Sequence, residues 1–187
     1  MMTPEQRFAC MSHNRAKGTG PELLLRHALW RMGFRYRVND KRLPGSPDIV
    51  LARYRTVIFV HGCFWHGHKG CKHYTVPKTN RDFWIKKVAR NQERDQDVWR
   101  RLEAKGWYVI IVWECQLKKA RLSETIENVS NEIRRNGDSF QSAQVNRRAA
   151  RVSYLRELKR RKEKEAALLM EVQHIFNNCR LIPVSSE

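Results

Sequence analysis

At 187 residues the chain has the size of one domain and is long enough to bury a sizeable core. Hydrophobic residues at 41% and charged residues at 30% exclude a disordered chain, while 37 Lys+Arg against 19 Asp+Glu leave a net +18. That excess repels itself unless a polyanion uses it, so nucleic acid or an anionic membrane surface heads the list of partners.

No apolar run approaches the roughly 18 residues of a membrane span, and Met-Met-Thr-Pro-Glu-Gln-Arg lacks the apolar stretch of a secretory signal. The expectation is a cytoplasmic protein without membrane contact, whose five cysteines are reduced and serve metal binding or burial rather than disulfides. Residues 1–118 carry 23 Lys+Arg against 10 Asp+Glu, a net +13; residues 119–139 balance, and residues 140–187 are net +5. The division predicts a working domain over 1–139 and a basic, helical extension over 140–187.

In chain order, Thr19-Gly20-Pro21-Glu22 reads as a helix start, and Leu24, Leu25, Ala28, Leu29 and Met32 form one apolar face before Gly33 ends the helix. Phe34–Val38 reads as a strand, and Leu43–Pro47 as a turn. Asp48–Leu51 and Thr56–Val60 read as strands joined by a short link. A long helix is expected from about Arg81 to Lys105, then a buried-type strand Trp107–Trp113 and a last amphipathic helix Ser123–Arg135. The order predicts an α/β fold, a mixed sheet flanked by helices. In the extension, Ala166, Leu169, Val172 and Phe176 at helical spacing suggest a solvated helix docked by one apolar end.

Between the third strand and the long helix, His61, His66, His68 and His73 fall close to Cys63 and Cys71. Cys63-x4-His68-x2-Cys71 has the spacing of a zinc hairpin, and Cys115 can supply a fourth ligand from a neighbouring strand. Three sulfurs and one nitrogen close a tetrahedral site, so this Zn2+ is expected to be structural. His66 and His61 are left over beside the strand-end carboxylate of Asp48, and histidine titrates near neutral pH. Nucleases often follow such an aspartate with an acid-x-lysine pair on the next strand, yet Thr56-Val-Ile-Phe-Val60 has neither an acid nor a lysine. Asp48 and the carbonyl of Val60 can hold Mg2+ while His66 takes a proton from water. Glu22 either orients this group or merely caps its helix. Phe64, Trp65 and Trp84, set among basic residues, suit a wedge into a base stack, with core packing as the ordinary alternative for Trp84.

Leu43-Pro-Gly-Ser-Pro-Asp48, Val57-Ile-Phe-Val-His-Gly-Cys-Phe-Trp-His66, Phe83-Trp84, Asn91-x-Glu-Arg-Asp95 and Val112-Trp-Glu-Cys115 closely resemble the very-short-patch-repair (Vsr) mismatch endonucleases over about Met11 to Leu117. The resemblance implies a restriction-endonuclease-like fold, a catalytic Mg2+ and a structural Zn2+. It also implies a nick 5′ to the thymine of a T:G mismatch in duplex DNA, left by deaminated 5-methylcytosine. Carried onto this sequence it makes Asp48 the magnesium ligand, His66 the general base, and His61 and Glu22 supporting groups. Cys63, His68, Cys71 and Cys115 become the zinc ligands, and Phe64, Trp65 and Trp84 the intercalating aromatics.

The Cys63–Cys71 loop is one residue longer than the family's usual form, which leaves His73 as an alternative to His68. The extension lies beyond the family's usual end. The chain is expected to act as a monomer, possible partners being other mismatch-repair proteins. Two further readings stand beside the first: a restriction-type nuclease of the same fold with another target, and a non-catalytic, zinc-stabilised DNA-binding module.

Overall fold

The computed structural model describes residues 17–179, with side chains through 174. Cys10, the Met11 end of the resemblance and the side chains of Phe176 and Cys179 therefore lie outside the described residues. Helix α1 spans Gly20–Arg31, strand β1 Ile49–Leu51, strand β2 Thr56–His61, helix α2 Arg81–Ala104, strand β3 Tyr108–Trp113 and helix α3 Leu122–Cys179. Short 3-10 turns, Ala52–Tyr54 and Glu114–Leu117, follow β1 and β3.

The sheet is three-stranded in the order β1-β2-β3, with β1 antiparallel and β3 parallel to β2. It is the mixed sheet that the element order implies, with one strand fewer. Phe34–Val38 is not a strand: a single bridge joins Arg37 to Val50. Neighbouring side chains draw this segment elsewhere, Phe34 packing on Tyr54 and the Tyr36 hydroxyl donating to Arg26 O at 2.7 Å.

Because side chains alternate along strands, each strand feeds two cores. Ile49, Leu51, Ile58, Ile110 and Val112 meet Leu25 and Leu29 of α1 and Val129 and Ile133 of α3. Val50, Val57 and Phe59 on the other face meet Leu102 of α2 and Trp107. β3 is not buried throughout as expected; Ile110 and Val112 are buried, while Tyr108 is exposed at the sheet edge.

The last helix runs without a break from Leu122 to Cys179, well past the expected end at Arg135. The chain divides into two compact units, 1–140 and 141–187. Within the second, Leu169 and Val172 are 65% and 45% exposed. No described helix is long and apolar enough to cross a membrane.

Candidate active site and metal centre

The site is assembled by strand register. Antiparallel pairing of Ile49 with Ile58 sets Asp48, just before β1, beside the end of β2, where its Oδ2 accepts a 2.8 Å bond from Val60 N–H. Parallel pairing sets His61 against Trp113, so the segments leaving both strands, the 62–73 loop and the turn carrying Cys115, run side by side.

Glu22, Asp48, Val60, His61, His66 and Asp95 line one cavity of about 460 Å³. Burial pushes the Asp48 carboxyl up to about 6; the Val60 N–H opposes the rise and the Glu22 carboxylate adds to it. Two carboxylates sharing such a pocket favour a bound cation, and their hard oxygen ligands suit Mg2+. Glu22, 4% exposed, also ties down the two residues that precede its helix. Its Oε1 accepts from Thr19 Oγ1 at 2.9 Å and its Oε2 from Gly18 N–H at 2.9 Å. These bonds do not make the capping box that the sequence allowed, since none goes to the Thr19 N–H or to an N–H of the first turn; its place in the cavity fits the orienting role.

His66 points its Nδ1 at Asp95 Oδ2, 2.5 Å away, which leaves Nε2 for other chemistry. Its ring stacks on that of His61, centroids 3.7 Å apart and planes 17° from parallel. Burial pushes His61 down to about 3, helped by the neighbouring His66, so His61 is neutral at working pH.

The loop bearing His66 is fixed from α2. Asn91 Nδ2 donates to Trp65 O at 2.9 Å, and Gln92 Nε2 to His66 O and Gly67 O at 3.2 Å each. Gly67 has φ +62°, and a Cβ there would lie 2.7 Å from Val88 Cγ1, so only glycine allows this approach of loop to helix.

The second cluster joins Cys63, His68, Cys71 and Cys115, whose ligand atoms all lie within 4.8 Å of one another. His68 Nδ1 is 3.4 Å from Cys63 Sγ and 3.5 Å from Cys115 Sγ. Tetrahedral zinc with bonds of about 2.3 Å to sulfur and 2.0 Å to nitrogen separates such atoms by about 3.5 Å, so the donor set fits that metal in type and spacing. Burial pushes the Cys63 thiol up to about 12, and a bound cation offsets the cost of its thiolate. The His73 ring lies outside this cluster, its Nε2 3.2 Å from Lys118 Nζ, while its backbone N–H donates to Cys71 Sγ at 3.4 Å.

Phe64, Trp65 and Trp84 gather edge to face, with centroids 5.2 to 5.9 Å apart, each only partly buried. Phe83, 58% exposed, extends this group against Trp84.

The expected site residues thus fall into three groups, and the sequence reading missed several that hold them. Asn91, Gln92 and Asp95 lie on one side of α2, and their spacing of one and four residues was the available signal. Arg26 was missed too. Its Nη2 donates to Glu22 Oε2 at 3.0 Å and to Asp48 O at 3.1 Å, and the i,i+4 pairing with Glu22 was visible in the sequence.

A family model described as DNA mismatch endonuclease Vsr matches residues 1–73. Type II nicking enzyme V.NmeAIP of Neisseria meningitidis is 47% identical over 135 residues, covering 72% of this chain and 96% of its own. Type II nicking enzyme V.XorIIP of Xanthomonas oryzae is 47% identical over 116 residues, 62% of this chain and 85% of its own. DNA mismatch endonuclease Vsr of Escherichia coli is 47% identical over 102 residues, 54% of this chain and 65% of its own.

Proposed function

The chain belongs to the Vsr family and is a DNA nicking endonuclease, and from that premise we propose that it cuts one strand of duplex DNA at a target of its own, as a type II nicking enzyme. The cavity that joins Asp48 and Glu22 to the His66–Asp95 pair carries this reading. Asp95 holds the His66 proton on Nδ1, so Nε2 can take a proton from the attacking water. Asp48 and the Val60 carbonyl would hold Mg2+, which when bound polarises the phosphodiester and stabilises the leaving alkoxide. Glu22 and neutral His61 keep these groups in place. Cys63, His68, Cys71 and Cys115 would hold Zn2+ with no open position, which ties the His66 loop to the end of β3.

The T:G mismatch, placed first on sequence grounds, becomes the second reading. Two of the three relatives described above are named type II nicking enzymes, and both match over more of their length than the E. coli mismatch endonuclease does. The aromatic group of Phe64, Trp65 and Trp84 favours the mismatch, because partly exposed rings on a rigid loop can wedge between base steps. A non-catalytic module would leave the His66–Asp95 pair and Asp48 without a role.

Labelled duplexes that carry T:G or T:A in a panel of flanking sequences, with Mg2+ or EDTA and beside Asp48→Ala, separate these readings. A Mg2+-dependent nick restricted to certain flanks supports the first. A nick that follows T:G whatever the flanks supports the second, and binding without any nick contradicts both.

A further inference from the structure

Strand β2 lacks the lysine that ordinarily faces the scissile phosphate in such sheets. A positive group there acts beside the Mg2+ that Asp48 would hold: as the water oxygen bonds to phosphorus and the bond to the leaving oxygen breaks, charge builds on the non-bridging oxygens. The cavity offers two cations on its lining, Lys17 and Arg94.

Arg94 is the better placed. It precedes Asp95 on α2, so it rides on the same rigid turn that orients His66. Its side chain is 66% exposed, and its ion pair with Asp95 Oδ1 is 3.8 Å long, beyond hydrogen-bond reach. It lines the same cavity as Asp48 and His66, so its guanidinium is within reach of a phosphate bound there. A planar guanidinium with several donors matches two phosphate oxygens better than an ammonium does.

We propose that Arg94 is a catalytic residue that donates to a non-bridging oxygen of the scissile phosphate, supplying from helix α2 the positive charge that strand β2 lacks. The proposal rests on the nicking function of this cavity. During the step the water proton passes to His66 Nε2, the leaving oxygen departs with the bonding pair, and Arg94 stays protonated throughout.

The test uses the full chain and a T:G duplex in the most readily nicked flanks, under single turnover with enzyme in excess. Arg94→Met should slow nicking about 100-fold, the usual cost of one transition-state donor, while duplex affinity changes less than about fivefold. Arg94→Lys should recover part of the rate, because it keeps the charge and loses the fork. Zinc content and melting temperature should match the parent in both. Stereospecific phosphorothioates at the scissile position should give a thio effect for one non-bridging oxygen that Arg94→Met erases. A thio effect unchanged by Arg94→Met, or a saturated rate within twofold of the parent, overturns the proposal. If Asp48→Asn is inactive in that case, the nicking site stands and only the role of Arg94 fails; if the parent itself nicks no duplex, both fail.

Discussion

His66 and Asp95 face each other across 2.5 Å, one from the loop that carries Cys63 and His68 and the other from the middle of α2. A carboxylate at Nδ1 fixes the tautomer and makes Nε2 the proton acceptor. Asp95→Ala should therefore slow single-turnover nicking by about 10²-fold or more, within the range of acid–base catalysis. Duplex binding and zinc content should be kept. A rate within threefold of the parent contradicts the pairing's role.

The raised proton affinity of Asp48 has two opposite consequences with pH. A proton and a cation compete for the carboxylate, so at low Mg2+ nicking should rise with pH along a limb near 6 that moves to lower pH as Mg2+ is added. A limb indifferent to Mg2+ belongs to another group and contradicts the assignment. For folding, the native state binds this proton more tightly than the unfolded chain. Asp48 therefore adds stability that is full below about 4 and lost as pH rises through about 6. Asp48→Asn lacks that loss, and the gap between the two melting curves should widen over this window.

The cluster of Cys63, His68, Cys71 and Cys115 predicts unequal roles for two neighbouring histidines. Cys115→Ala and His68→Ala should lose bound zinc and melt at much lower temperature, since structural zinc contributes on the order of 10 kcal/mol in small domains. His73→Ala should keep its zinc, because His73 lies at Lys118. Zinc analysis after gel filtration decides it, and loss of zinc in His73→Ala reverses the assignment.

Arg26 and Glu22 form an ion pair whose side chains are only 9% and 5% exposed. Arg26→Met leaves the Glu22 carboxylate buried without its partner and frees the Asp48 carbonyl, which should cost about 3 kcal/mol. Denaturant unfolding measures it. A loss below about 1 kcal/mol shows that the pair is hydrated in solution.

Deleting residues 141–187 removes a basic segment, helical through Cys179, outside the unit that carries the site. Duplex affinity should fall modestly with a shallower salt dependence, and target choice should be unchanged. A truncated protein that binds but cannot nick gives the extension a part in catalysis.

Residue type and local spacing made much of this protein legible from sequence. The +18 charge points to a polyanion, and Cys63-x4-His68-x2-Cys71 to a donor cluster whose atoms the structure brings within 4.8 Å of one another. Helix α1 and strands β1 and β2 were visible because their apolar periods and caps are written within a few neighbouring residues. Phe34–Val38 was misjudged since its strand-like pattern is outweighed by contacts with distant Arg26 and Tyr54. The partners of the site residues were likewise hidden. Asp95 meets His66 across 29 positions and Cys115 meets His68 across 47, and only the parallel register of β2 with β3 and the packing of α2 on the loop bring them together. The sequence determined which groups are available for chemistry; tertiary structure decided which of them touch, because long-range register and packing fix distances that local spacing does not encode.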